Sequence, residues 1–407
     1  MKFDIFFSIS HTPVGDVLPS EAQMFRNFFR QVEAADELGY KTAWLAEAHL
    51  SSEVQKDNEK PVIPHWQGEV GLMTDFTQTA HQIFKRTRQI ECGAAIMNIL
   101  CNGGPIAAAE RVAAFANLHG LDPAEDRRIH VGFAGGRFEY MNRPFGIRPR
   151  NALEEVAWPA LKHQVFREGA KIFCRLLRGD VLCSEDIPHT VLTRQNFRSD
   201  EHWQAVLEAA GTNEDQVVIP RRYEFEKLAI IPKDWRRELV QLVVGTHDPF
   251  TQEELNQILP VQVFNLSITQ PAIIEETHQR LAATYHPDGG PWQRDYMPRT
   301  TFVFINGQPH LSPDQQRVVA QEEARSALGE YWKALEGTID PAKVTNAANN
   351  ALIGNPQDIV EQIRERFHPD DRLMLWFDFF NHDCDRVIQN MEAFMSGVAH
   401  QLEEREQ

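Results

Sequence analysis

Strand-like and helix-like stretches alternate about eight times along this 407-residue chain, and that rhythm constrains the fold more than any other feature. The first strand-like run, 3–9, is apolar except for Asp4 and Ser8, as a parallel strand buried on both faces should be. Ser20 and Gln23 then stand at capping-box spacing. Phe25, Phe28, Phe29, Val32 and Ala35 form one helical face, and Gly39 supplies a C-cap. Further strands are predicted at 42–46, 90–97 and 128–134, with helices around 69–85, 105–118 and 151–178. The second half repeats the alternation with strands at 239–244, 261–268, 300–305 and 372–377. Its helices fall at 251–259, where Thr251 and Glu254 form a capping box, and at 272–285, 313–335, 356–367 and 384–404. Eight such units predict a (β/α)8 TIM barrel. A doubly wound open sheet needs fewer strands and a G-x-G-x-x-G after the first, which here ends in Ser8, Ser10 and His11. The expectation is one barrel domain over 1–407, with insertions near 50–70, 179–225 and 286–299.

Charge narrows the partners. With 41 basic and 58 acidic residues the net charge is −17, which argues against nucleic-acid or anionic-membrane binding. Five cysteines without a C-x-x-C pair fit reduced thiols in a cytoplasmic protein. No apolar run reaches membrane-spanning length, because Asn98, Asn102, Glu110 and Arg111 break the richest stretch, 93–118. Neither a signal peptide nor a membrane span is expected.

A barrel gathers its chemistry at the C-terminal ends of its strands. Those ends carry Ser10 and His11, Glu47 and His49, Asn98, Ala134 to Arg137, Thr246 to Asp248, Asn265, and Asp378 to His382. No metal is expected. Glu275 and His278 form a lone Glu-x-x-His, and His-Glu-x-x-His is absent. A nucleophile elbow and a Walker loop are missing too. At 245–254 a strand stops at Gly245-Thr246 and a helix starts at Thr251, so free backbone N–H groups there can attract an anion. An ordinary capped turn is the competing reading, and Asp248 is an adverse charge for phosphate.

Four stretches add a resemblance. EAADELGYKTAWLAEAHL (33–50), TRQIECGAAIMNILCNGGPIAAAERVAAFANL (87–118), RRIHVGFAGGRFEYMNRPFGI (127–147), and GNPQDIVEQI (354–363) with VIQNMEAFMSGVAHQL (387–402) occur in the order of the bacterial luciferase-like flavin-dependent monooxygenases, which the chain therefore resembles. The resemblance implies a barrel that binds reduced FMN and reacts it with O2, through a C4a-peroxyflavin, to oxygenate a small organic substrate. With no dinucleotide fingerprint in the chain, the reduced flavin is expected from a separate flavin reductase. Glu47 matches the family's strand-two glutamate near the flavin. His49 matches the second His of its E-H-H, while Ala48 stands where luciferase has its catalytic first His. Ala95 and Ile96 fall at the family's non-prolyl cis peptide beneath the flavin ring. Ala134 and Gly135 replace a reactive Cys and a flavin-contacting Arg. Arg150, Gly245 and Thr246 match the contacts to the flavin phosphate.

On this reading His49, Glu47 and His11 are the catalytic candidates, and Phe6, Met97, Ile99, Phe133, Phe264, Trp376 and Phe377 line the mouth. His65, Trp66 and Trp203 are substrate candidates by location in the insertions. A homodimer burying 107–115 is expected. The competing readings are an F420-dependent oxidoreductase on the same fold, separable by spectra with each reduced cofactor, and a non-catalytic partner subunit, which Ala48 would favour.

Overall fold

The computed structural model describes residues 1–338 and 340–403. Its eight barrel strands are β1 (Lys2–Phe7), β2 (Thr42–Leu45), β3 (Glu91–Ala94), β4 (Ile129–Ala134), β5 (Val240–Val244), β6 (Val261–Val263), β7 (Arg299–Ile305) and β8 (Arg372–Trp376). They pair in parallel in the order β7-β8-β1-β2-β3-β4-β5-β6, and a parallel bridge from Asn265 to Arg299 joins β6 to β7 and closes the ring. The first and last strands are neighbours, with Lys2 opposite Arg372 and Phe3 opposite Leu373. The expected (β/α)8 barrel is thus present.

The helices that follow the strands are α1 (Glu21–Leu38), α2 (Phe76–Arg86), α3 (Gly104–His119), α4 (Ala152–Arg178), α5 (Pro249–Asn256), α6 (Pro271–Thr284), α7 (Pro313–Leu335), α8 (Pro356–Arg366) and α9 (Cys384–Phe394). Helix α1 starts as its sequence predicts: Ser20 Oγ accepts from the Gln23 amide at 3.3 Å, and Gly39 leaves the helix at φ 86°, where an L side chain would be strained. Helix α5 differs from expectation. Asp248, not Thr251, is its N-cap, with Oδ2 accepting from the Thr251 amide at 2.8 Å. Pro249 explains the shift, because its fixed φ suits the first helical position and it has no N–H to satisfy. The 261–268 strand shortens to three residues, since the chain turns at Leu266 to Thr269 to enter α6 at Pro271. The closing helix runs to Phe394 and continues as Met395–Ala399 and His400–Glu403, and its last expected residue, Glu404, lies outside the described residues.

Side-chain alternation sorts the barrel wall into two layers. Phe6, Trp44, Val243, Phe264 and Met374 point inward and fill the middle of the barrel. Beneath them Arg372 Nε donates to Asp4 Oδ2 at 2.6 Å and Nη2 to Thr42 Oγ1 at 2.6 Å, while Trp44 Nε1 donates to the same Asp4 oxygen at 2.7 Å. This polar layer lies at the N-terminal end, where barrels keep stability rather than chemistry. Phe3, Ile5 and Phe7 point outward into the helix-covered core. The same alternation sends Met97, Ile99, Phe133 and Phe377 into that outer core and away from the mouth, leaving Phe6, Phe264 and Trp376 of the expected lining.

The 179–225 insertion is a hairpin, Thr190–Thr193 against Gln216–Ile219, around a helix, Asp200–Ala210. The 50–70 insertion turns at Val54–Asp57 and returns so that Glu69 pairs antiparallel with His11. On α3 the residues expected in a dimer interface are already covered: Ala108, Ala109, Val112, Ala113 and Phe115 are buried within the protomer. Only Ala107, Glu110, Arg111 and Ala114 of that stretch keep accessible surface. No described helix is long and apolar enough to cross a membrane.

Candidate active site

Glu47, Ala48 and His49 follow β2 directly, so the barrel delivers them to its C-terminal mouth. His49 is buried, and its Nε2 lies 2.9 Å from Glu47 Oε1. The Glu47 carboxylate also accepts from the Asn98 amide at 3.2 Å and from the Phe76 amide, at the start of α2, at 3.4 Å. Burial alone would lower the His49 pKa. Hydrogen bonding to Cys101 and Glu47, with the Glu47 charge, outweighs it and pushes the imidazole up to about 10. The pair thus favours the protonated imidazole, a form that can donate a hydrogen bond. Cys101 in turn donates to the Asn98 carbonyl at 3.4 Å. Asn98 Nδ2 donates to Asn142 Oδ1 at 2.7 Å, and Asn142 Nδ2 to the Gly135 carbonyl at 2.7 Å, so the loops after β3 and β4 are locked together beside the pair. The Cys101 contact has no sequence signature beyond its spacing of three from Asn98.

The third catalytic candidate sits apart. His11 Nε2 lies 2.7 Å from the Pro19 carbonyl, and no described hydrogen bond joins it to Glu47 or His49. At the end of β8, His382 Nε2 lies 2.6 Å from the Thr12 carbonyl. Asp378 beside it has one oxygen, Oδ1, sealed from solvent without a partner. Burial pushes the Asp378 carboxyl up to about 7, against the pull of the Trp376 ring N–H and the Ser8 and Ile9 amides.

The residues expected at the flavin divide into two groups. The Ala95–Ile96 peptide is cis. A Cβ on Gly245 would come 2.2 Å from Ile96 Cδ1, and one on Gly132 would come 2.0 Å from the Ala94 carbonyl oxygen, so bare glycines let β3, β4 and β5 close up here. Ala95, Ile96 and Gly245 are thus brought together, with Thr246 next in the chain. Thr246 Oγ1 accepts from the Asp248 amide at 3.2 Å, which leaves its own hydroxyl proton to give. Neighbouring His247 has its Nε2 3.3 Å from Thr269 Oγ1 and its Nδ1 sealed without a partner. Arg150 is engaged elsewhere. Its guanidinium donates to Glu154 at 2.7 Å, to the Arg221 carbonyl at 2.9 Å and to the Pro220 carbonyl at 2.7 Å, which ties α4 to the 179–225 insertion. None of its hydrogen bonds reaches Gly245 or Thr246. The helix-start amide of α5 is also taken, because the Asp248 carboxylate caps it and lies 3.3 Å from His163. Among the described residues no group of three or more His, Cys, Asp or Glu side chains is placed to hold a metal ion.

A closed eight-stranded parallel barrel with a buried carboxylate–imidazole pair at its C-terminal mouth defines a TIM-barrel protein whose polar groups converge where such folds do chemistry. Residues 1–192 match the family model described as luciferase-like monooxygenase, and three of the four resembling stretches lie inside that span. Three solved structures share the fold. A monooxygenase from Streptomyces bottropensis is 15% identical over 98% of this chain and 99% of its own, with a TM-score of 0.66. The oxygenating constituent of 3,6-diketocamphane monooxygenase from Pseudomonas putida, a type II Baeyer-Villiger monooxygenase in complex with FMN, is 12% identical over 98% of each chain, at 0.57. An F420-dependent secondary alcohol dehydrogenase in complex with an F420-acetone adduct is 12% identical over 98% of each chain, at 0.52. No curated protein matches the sequence.

Proposed function

We propose that this chain is the oxygenase component of a two-component flavin-dependent monooxygenase. It takes reduced FMN from a separate flavin reductase and oxygenates a small organic substrate with O2. It works as a single barrel domain with insertions, in a cytoplasmic homodimer. The observation that carries this reading is the buried Glu47–His49 pair at the mouth, inside the part of the chain that matches luciferase-like monooxygenases. Reduced FMN, when bound, supplies the electrons that activate O2.

The remaining work falls to the protein. Phe6, Trp44, Phe264 and Trp376 keep the barrel side of the site apolar and exclude water. Glu47 holds the His49 imidazole in one orientation and in its protonated form, which gives the mouth a fixed donor without a mobile base. Ala95 and Ile96 form the floor beside Gly245. The orphaned Nδ1 of His247 and the free Thr246 hydroxyl fit an anionic oxygen, so Gly245, Thr246 and His247 would hold the flavin phosphate.

Anaerobic titration with reduced FMN and with reduced F420, followed by O2, tests the proposal. Saturable binding of reduced FMN and an oxygen-dependent product are expected. Binding of F420 alone, or of neither cofactor, overturns it.

A further inference from the structure

Of the three substrate candidates in the insertions, only Trp66 reaches the mouth. His65 is exposed, and Trp203 packs inside the 179–225 insertion with Phe197, ring centroids 5.4 Å apart. Trp66 is 6% exposed, its Nε1 is sealed from solvent, and no protein atom accepts its hydrogen. An indole N–H can only donate, and buried polar groups in native proteins nearly always have a partner.

Five segments build the surroundings of Trp66. Ala48 comes from the end of β2 and Ile63 from the same insertion as Trp66. Phe138, Tyr140 and Met141 follow β4, and Leu335 ends α7. Tyr331 lies 6.4 Å from the indole at 88°, and Phe380 6.4 Å at 57°. Tyr140, 8% exposed, is a second unmatched group: its hydroxyl lies beside Ser52 but outside hydrogen-bond geometry. Ala48 fixes the position of this cluster, because its neighbours in the chain are Glu47 and His49. The chain leaving the insertion passes close by: the Ala48 amide donates to the Met73 carbonyl at 3.0 Å, and a Cβ on Gly71 would stand 3.2 Å from the Ala48 Cβ. The donor that the covering segment brings to this cluster is Trp66.

We propose that Trp66 is a substrate-recognition residue whose indole N–H binds the carbonyl oxygen of an aromatic ketone seated among Ala48, Phe138 and Tyr331. This deepens the oxygenase reading and rests on it for the fate of the ligand. The aromatic walls favour a ring system by edge and face contacts. The lone donor calls for an uncharged acceptor, and the Glu69 carboxylate near Tyr140 opposes an anionic one.

The test uses the flavin-free protein with 9-fluorenone and fluorene, which share a ring skeleton and differ in the carbonyl. Fluorenone is expected to bind several-fold more tightly, and Trp66→Phe to weaken it about three- to tenfold while leaving fluorene within about twofold. Should the variant fail to fold, the infrared carbonyl band of fluorenone bound to the unaltered protein decides: a shift to lower wavenumber than in an apolar solvent supports the hydrogen bond. Equal affinity for the two compounds, a preference that survives Trp66→Phe, an unshifted band, or no binding of either overturns the proposal. None of these outcomes depends on flavin, so reduced-FMN binding still stands or falls separately.

Discussion

Replacing Glu47 by Gln keeps the shape of the side chain and removes the charge that holds the His49 proton. In the unaltered protein burial pulls the imidazole down from 6.5, and Cys101 and Glu47 together carry it up to about 10. At about 1.4 kcal/mol per pH unit that rise corresponds to at most about 5 kcal/mol, of which Cys101 supplies a part and Glu47 the rest. Breaking a buried ion pair from one side costs about 3–5 kcal/mol, so Glu47→Gln should lose about 2–4 kcal/mol of stability at neutral pH. The sign with pH follows from the raised value. The contribution is complete below 6.5 and disappears as pH climbs through about 10, so the gap between the two proteins closes on the alkaline side. Urea unfolding across that range measures the gap, and NMR of 15N-labelled histidine follows the His49 proton. In the variant burial dominates, and the imidazole should titrate well below about 10. An unaltered protein whose His49 titrates at or below its ordinary value would refute the reasoning, as would a variant of undiminished stability at neutral pH.

Other expectations are independent of that pair. Arg150→Ala should leave reduced-FMN affinity within about twofold but lower the melting temperature, because it removes charge-assisted hydrogen bonds of about 1.5–3 kcal/mol that pin the 179–225 insertion; Thr246→Val should weaken reduced FMN several-fold without that loss. Calorimetry with and without flavin separates the two effects. Asp378→Asn should match the original protein near pH 4 and exceed it by about 1–2 kcal/mol near pH 8. The raised carboxyl gives its full contribution below 3.8 and loses it as pH rises through about 7. Denaturant curves at the two pH values check this. Gly132→Ala should cost more than Gly245→Ala, by about 1–3 kcal/mol, because the first collides with the rigid Ala94 backbone oxygen and the second with the movable tip of Ile96. Comparative melting temperatures decide it.

The sequence by itself determined the barrel and the address of its candidate site. Strand and helix periodicity are local consequences of which side chains must be buried, so the 3–9 run, the Ser20 cap and the Gly39 stop could be read without knowing their neighbours. The polar ends of eight parallel strands had to meet at one face, which put Glu47 and His49 at the mouth. What each side chain does there depended on contacts between loops far apart in the chain. Arg150 is held by Glu154 and by carbonyls about seventy residues away, so its hydrogen bonds tie down the insertion. Asp248, beside an inviting helix start, turned out to be its cap. Alternation about the barrel wall turned Phe133 and Phe377 outward, and packing buried the middle of α3 within its own protomer. The state of the His49 proton needed Cys101, and the surroundings of Trp66 needed Ala48, Tyr140 and Tyr331, from three segments far apart in sequence. Hydrogen bonds and charge pairs act over a few ångströms, and only the folded chain decides which groups come that close.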